Sequence, residues 1–204
     1  MAAAVRSLTE IGPDGGKQAS IEFFATDYLI TCDPFACATL ALEAMYSLAL
    51  FGEGELALEL LQGSLEQLEQ FLPFVFAFQE ADLVRVATAI GRANEALFDI
   101  LINSDNPFVQ FIGIAALANV KGREAREQLL TFINPEENRL VSRAALEGLE
   151  KIAVADDVTI FSEWTTDGDR RSRLSAFNAL VRVVDERALP VIQDAIFVED
   201  LSTS

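Results

Sequence analysis

Residues 110–120 read QFIGIAALANV, and two later stretches repeat the pattern: RLVSRAALEGL at residues 139–149 and RLSAFNALVRV at residues 173–183. In each stretch the alanine of an Ala-Leu pair stands three positions after a small residue and four positions before an aliphatic one. The pairs are 29 and 34 residues apart, and periods of about 20 to 50 residues indicate stacked supersecondary units. Each stretch therefore predicts a helix that a neighbouring helix approaches closely at the small residue.

A second helix is predicted after each of these three, over residues 123–133, 156–164 and 186–197. The alternating apolar pattern that is typical of strands is absent. Upstream, Ala41-Leu42 and Ala89-Ile90 are degenerate members of the same series. The sequence therefore predicts an all-α solenoid of about five helix pairs, of which the first two are irregular.

Loop signals divide the chain into an arm and a repeat domain. The run Gly12-Pro13-Asp14-Gly15-Gly16 predicts an irregular N-terminal arm over residues 1–20, followed by the repeat domain over residues 21–204. Asp33-Pro34 predicts the start of a helix that runs to Gly52, with the aspartate as its cap and the proline in its first turn.

Two further helical segments are expected before the three clear repeats. The first, over residues 55–72, is one helix or two, interrupted near Gly63-Ser64 and stopped by Pro73. The second covers residues 80–102, which carry a long apolar stripe at helical spacing.

The charge of the chain is strongly negative and unevenly distributed. The net charge is −17, from 32 acidic and 15 basic residues, and histidine is absent. Such a chain repels phosphate backbones, which argues against a nucleic-acid partner. Between Lys17 and Arg85, eleven carboxylates occur with no Lys or Arg to offset them. Two interpretations stay open: a surface that only keeps the protein in solution, or one that steers a basic protein partner. The candidate binding residues are Glu53, Glu55, Glu59, Glu66 and Glu69.

A basic cluster provides a second candidate surface. Arg170, Arg171 and Arg173 lie next to Trp164 and the turn Asp167-Gly168-Asp169. One interpretation is a set of ion pairs with these aspartates on an exposed helix face. The other is a contact point for an acidic group of a ligand or partner, formed by the three arginines and the tryptophan.

Signatures of catalysis and metal binding are not found in the sequence. It has no Gly-rich phosphate loop, no Gly-x-Ser-x-Gly elbow and no Cys or His metal spacing. Adjacent carboxylates such as Asp156-Asp157 diverge by about 100° on a helix and are expected at helix starts, where they complement the dipole. We therefore predict no catalytic residue, metal ligand or cofactor. No apolar run reaches membrane-spanning length and the start lacks the form of a secretory signal, so an intracellular location without membrane insertion is expected.

The Ala-Leu helices, together with ERALPVI at residues 186–192, resemble the HEAT-like repeats of the phycobilisome-lyase type. These repeats occur in the two-subunit bilin lyases of cyanobacteria and red algae and in their non-lyase relatives. The resemblance is good over residues 106–198 and rests on pattern alone over residues 20–105.

This resemblance implies two functions. The first is a non-catalytic scaffold, chaperone-like or rod-stabilising, that binds a phycobiliprotein or a basic linker polypeptide of the phycobilisome antenna. The second is one subunit of a heterodimeric bilin lyase, which would hold a linear tetrapyrrole for attachment to a phycobiliprotein cysteine, with the arginine cluster contacting bilin propionates. The implied location is the cytoplasm or the plastid stroma, at thylakoid-bound phycobilisomes. A third hypothesis, from charge alone, is an acidic nucleic-acid mimic or an inhibitor of a basic protein.

Overall fold

A computed structural model of the chain describes residues 18–20, 34–67, 72–134, 138–166 and 169–194. At residues 34–37, 66–67 and 72–79 only the backbone is described. Every regular element in these ranges is a helix, and no strand occurs in them. Most of the predicted N-terminal arm lies outside the described ranges, and its last three residues, 18–20, are helical.

The chain divides into two compact units, residues 1–116 and residues 117–204. The helices of the first unit are α1 (Pro34–Leu50), α2 (Gly54–Gln67), α3 (Leu72–Ala93), α4 (Glu95–Ile102) and most of α5 (Pro107–Lys121). Within this unit α1 packs against α2 and α3, while α3 also packs against α2 and α4. Its core contains large side chains that are fully buried: Met45, Leu48, Leu61, Leu65, Ile90, Phe98, Leu101, Ile102, Phe111 and Ile112.

The second unit begins with the last turn of α5 and continues through alternating short and long helices. A 3₁₀ turn (Gly122–Ala125) leads into α6 (Arg126–Thr131), which is followed by α7 (Arg139–Ile152). Another 3₁₀ turn (Ala155–Asp157) leads into α8 (Val158–Trp164), followed by α9 (Arg170–Val183) and a helical stretch, α10, at residues 188–194. Here α7 packs against α6 and α9, and α8 packs against α9.

In chain order these helices make five successive pairs, from α1–α2 to α9–α10. The three repeated stretches form the first helices of the last three pairs, α5, α7 and α9. The prediction of an all-α solenoid of helix pairs is therefore confirmed. The alanines of the three Ala-Leu pairs, Ala116, Ala145 and Ala179, have no exposed surface, so the repeat register places them in the core.

The small residue three positions before each of these alanines is also buried, and two of the three show why. A Cβ on Gly113 would lie 2.9 Å from both the Ile102 nitrogen and the Leu101 carbonyl carbon, so glycine allows the end of α4 to contact α5 directly. The Ser142 hydroxyl donates to the Phe132 carbonyl oxygen at 3.2 Å, beyond the end of α6. It also accepts a hydrogen bond from the Asn134 N–H at 3.0 Å. The small position thus faces the C-terminal end of the preceding second helix in both repeats.

Two expected breaks in the first unit were wrong. α2 runs through Gly63-Ser64 without interruption, because a glycine within a helix costs only about 1 kcal/mol, which packing can offset. α2 ends at Gln67 rather than directly before Pro73, which stands in the first turn of α3. The missing N–H of a proline costs nothing there, because the first-turn N–H groups have no partner within the helix.

The predicted helix over residues 80–102 is two helices, because Asn94 ends one and begins the next. Asn94 is extended, with φ of −155°, and its side-chain oxygen accepts a hydrogen bond from the Ala96 N–H at 2.9 Å. An asparagine in this position satisfies an N–H that would otherwise have no partner, so it favours a new helix start over continuation.

Candidate partner-binding surfaces

The turn between α1 and α2 and the start of α4 form a cleft within the first unit. Its volume is about 180 Å³, and it is lined by Gly52, Glu53, Gly54, Glu55, Ala93, Asn94 and Leu97. The left-handed backbone of Gly52, with φ of +87°, forms the turn. A Cβ on Gly54 would lie 3.0 Å from Leu97 Cδ1, so this second glycine keeps the start of α2 close to α4.

The cleft brings together two of the five predicted acidic residues, and a third lies nearby. Glu53 and Glu55 supply carboxylates, while Ala93 and Leu97 supply an apolar wall. Glu59 is exposed four residues after Glu55 on α2, and residues at this spacing share a helix face. The side chain of Glu66 and all of Glu69 lie outside the described residues. We define the acidic face as Glu53, Glu55 and Glu59 with the adjoining cleft.

At least two of the carboxylates between Lys17 and Arg85 lie beside a basic side chain, that of Arg85. The sequence alone had suggested that they have no basic neighbour. The Arg85 guanidinium pairs with Glu43 on α1 and lies 3.6 Å from an Asp82 oxygen. Its central carbon also lies 4.4 Å from the centroid of the Tyr46 ring, a cation–π distance. The pairing with Glu43 was missed because 42 residues separate the partners, and only the packing of α1 on α3 brings them together.

The structure separates the tryptophan from the arginines in the second candidate surface. Trp164 is only 7% exposed, at the end of α8, whereas Arg170, Arg171 and Arg173 are all exposed on α9. The indole therefore contributes to the core of the second unit and the arginines to its surface.

The arginines of α9 pair with α7, and Asp169 has a different role from the predicted ion pair. Arg171 Nε lies 2.9 Å from a Glu147 oxygen on α7, and Arg182 Nη2 lies 3.7 Å from a Glu150 oxygen. Asp169 caps α9: its carboxylate accepts hydrogen bonds from the N–H groups of Arg171 at 2.8 Å and of Ser172 at 3.0 Å. Partial burial acts to raise the pKa of Asp169, but these backbone hydrogen bonds and the Ser172 hydroxyl hold it below its ordinary value.

Asp157 stands at the start of α8, as predicted, but its carboxylate is buried. It has no exposed surface. Its Oδ1 accepts hydrogen bonds from Arg126 Nε at 3.0 Å and Nη2 at 2.6 Å, and its Oδ2 accepts one from the Val154 N–H at 3.0 Å. The bond to Asp157 is the main reason that the pKa of Arg126 is raised. Both oxygens are thus engaged in holding the start of α6 to the turn before α8.

The sequence indicates a buried carboxylate here when the turns that precede α6, α8 and α10 are aligned. Asp157 then stands where Ala125 and Ala188 stand in the neighbouring repeats, and all three positions are buried. A carboxylate in an alanine position requires a cation nearby, and Arg126 supplies it.

Within the described ranges, no group of three Cys, Asp or Glu side chains is placed to hold a metal ion. None of the helices in those ranges combines the length and apolar character needed to cross a membrane.

Comparison with known families identifies the repeat class. The family described as HEAT repeats matches residues 94–181, from the cap of α4 into the last turn of α9. This part of the chain therefore consists of HEAT-like repeats, in agreement with the resemblance carried by the Ala-Leu helices. No curated protein and no solved structure matches the chain.

Proposed function

We propose that the protein is a non-catalytic interaction scaffold and that its acidic face binds a basic segment of a protein partner. The observation that carries this proposal is the joint placement of Glu53, Glu55 and Glu59 at and beside a cleft with an apolar wall. HEAT-like repeats present extended surfaces for protein binding, which supports the general class.

The cleft suits a single cationic side chain better than a small-molecule cofactor. Its volume of about 180 Å³ is below the range of about 300–1,000 Å³ that is usual for ligand pockets. A Lys or Arg side chain could place its aliphatic stem against Ala93 and Leu97 and its charged end beside Glu53 and Glu55. The net charge of −17 would steer such a partner toward the protein over a distance set by ionic strength.

The proposed partner is a phycobiliprotein or a basic linker polypeptide of the phycobilisome, with a chaperone-like or rod-stabilising role. This finer proposal rests on the resemblance of the Ala-Leu helices and of residues 186–192 to repeats of the phycobilisome-lyase type. The alternative from the same resemblance, a bilin lyase subunit, predicts a coloured covalent adduct when phycocyanobilin and a phycobiliprotein apoprotein are added. A scaffold predicts binding of the apoprotein or the linker without an adduct.

The test is the association rate with purified linker polypeptide or phycobiliprotein, measured by surface plasmon resonance over a series of salt concentrations. We expect Glu55→Gln/Glu59→Gln to lower the on-rate about two- to fivefold at low salt and to flatten its salt dependence. The matched control is Glu124→Gln/Glu163→Gln, which removes the same charge from exposed positions of the second unit.

An on-rate and salt slope that were unchanged in the α2 variant would contradict the proposed role of the acidic face. An equal fall in both variants would show that only net charge matters.

A further inference from the structure

The outer face of α9 combines exposed aliphatic side chains with a positive charge, although the chain as a whole is strongly acidic. Of the six large hydrophobic residues that are exposed in the described part of the chain, four occur between residues 174 and 189. Leu174 and Val181, which are 59% and 52% exposed, stand seven residues apart and therefore share one helix face. Scattered apolar exposure is ordinary, but a concentration in one segment is typical of an interaction site.

The charge of α9 is opposite to that of the chain as a whole. The helix carries four arginines and no carboxylate, in a protein of net charge −17. Arg171 and Arg182 lie toward α7, where Glu147 and Glu150 face them. By helical spacing Arg170 and Arg173 lie along one side of the stripe formed by Leu174 and Val181. Arg171 and Arg182, which face the glutamates of α7, lie along its other side.

The residue after α9 adds an independent observation. Val184 ends the helix in the left-handed conformation, with φ of +52°, and is 89% exposed. Glycine is the usual residue at such a helix end, and a β-branched side chain with positive φ is strained. A valine here costs conformational energy and leaves its apolar side chain almost wholly exposed. Strain of this kind is typical of binding and functional positions.

We infer that the outer face of α9, defined by Arg170, Arg173, Leu174, Val181 and Val184, binds an amphipathic helical segment of a protein partner. The aliphatic side chains of that segment would pack along Leu174 and Val181, and carboxylates flanking them would face the arginines. Leu174 and Val181 stand about two helical turns apart, a spacing that side chains at i and i+7 of a partner helix match. The overall acidity of the protein disfavours a nucleic acid as the occupant. This surface is separate from the acidic face, and the inference stands if the acidic face proves to be only solvated.

The experiment uses the full chain and a labelled synthetic peptide of about four helical turns, with leucines at i, i+3 and i+7 flanked by glutamates. Fluorescence anisotropy at near-physiological salt should show binding, and the peptide with lysines in place of the glutamates should bind at least tenfold more weakly. Leu174→Glu should weaken binding of the acidic peptide at least tenfold. Its matched control is Ile100→Glu, which makes the same kind of change at a 48% exposed position of α4 and should leave binding unchanged.

Val184→Gly separates binding from folding. Because glycine adopts positive φ without strain, this variant should have a higher melting temperature than the wild type, and it should also bind the acidic peptide about three- to tenfold more weakly. A merely structural valine would move the melting temperature and leave the affinity unchanged.

Three results would overturn the inference. The first is equal binding of the glutamate and lysine peptides. The second is tighter binding of a single-stranded oligonucleotide than of the acidic peptide. The third is self-association of the chain that Leu174→Glu abolishes while no peptide binds, since the face would then be an interface between copies.

Discussion

At the scale of single residues, the β-carbon that Gly113 lacks determines how closely α5 can approach the end of α4. A methyl group there would lie 2.9 Å from backbone atoms of Leu101 and Ile102, which cannot move aside as a flexible side chain can. Gly63, in the middle of α2, provides the opposite environment, because a Cβ there would meet nothing within 4 Å.

We predict opposite effects for the same substitution at these two positions. Gly113→Ala should lower the free energy of unfolding by about 1–3 kcal/mol, since overpacking forces the backbones apart. Gly63→Ala should raise it by about 0.5–1 kcal/mol, since alanine favours the helix and nothing obstructs its methyl group. Urea denaturation of both variants measures the two changes. A stabilised Gly113→Ala variant would show that α4 and α5 do not pack as described.

At the scale of the helix, the carboxylate of Asp169 contributes to stability as the cap of α9. Its pKa in the folded protein is below its ordinary value of 3.8, so the ionised form favours the folded state. This contribution is fully present above the unfolded-state pKa and is lost as the pH falls through the lower folded-state pKa.

We therefore expect Asp169→Ala to cost about 1 kcal/mol at neutral pH, the usual value of a lost cap. The difference from the wild type should shrink as the pH falls below about 4, the unfolded-state pKa, and through the lower folded-state pKa. Asp169→Asn is the control, because asparagine caps nearly as well but does not titrate. Urea unfolding at several pH values gives the comparison, and a pH-independent cost of the alanine variant would rule out the carboxylate charge as its origin.

The repeat helices α5, α7 and α9 were largely predictable from the sequence, because their Ala-Leu period recurs with similar flanking residues. The buried positions of Ala116, Ala145 and Ala179 follow from that period alone. The Ala-Leu period does not indicate the ion pair of Arg126 and Asp157, which belong to different repeats; only alignment of the turns shows a carboxylate in a buried alanine position. Periodicity likewise does not distinguish a buried tryptophan at a helix end from an exposed one, which is why Trp164 was grouped with its arginine neighbours.

The breaks in the first unit were harder to predict for a different reason. Gly63 does not end α2, because the packing of α2 against α1 and α3 offsets its cost. Pro73 was misread because a proline is as compatible with the first turn of a helix as with the residues after a helix end. The sequence shows that this region is rich in carboxylates, but it does not show that two of them line a cleft. The cleft that joins Glu53 and Glu55 to Leu97 depends on two turns that are about 40 residues apart in the sequence.

At the scale of the whole molecule, negative charge is concentrated in one of the two units. Residues 1–116 carry 16 acidic and 4 basic residues, whereas residues 117–204 carry 16 acidic and 11 basic residues. Self-repulsion therefore opposes the compact state mainly in the first unit.

We predict that sodium chloride stabilises the protein. Raising the ionic strength from about 0.01 M to about 1 M shortens the screening length from about 30 Å to about 3 Å. Because acidic residues outnumber basic ones twofold, the relief of repulsion should exceed the weakening of ion pairs. We expect the melting temperature to rise by about 2–4 °C, as for a gain of about 1 kcal/mol. Glu55→Gln/Glu59→Gln should show a smaller rise, and a melting temperature that fell with salt would contradict the prediction.

The buried pair of Arg126 and Asp157 has a consequence for how such an array can grow by duplication. Arg126 directly follows the alanine position of its own repeat, and Val158 occupies the same place after Asp157. A tandem copy of the α7–α8 repeat would therefore set its own Asp157 against a valine instead of an arginine, leaving a carboxylate in the core with no cation. Duplication of that repeat would be tolerated only with a compensating substitution. Either arginine would have to replace Val158, or alanine would have to replace the copied aspartate. The modules of this protein are alike in shape, but they are not interchangeable parts.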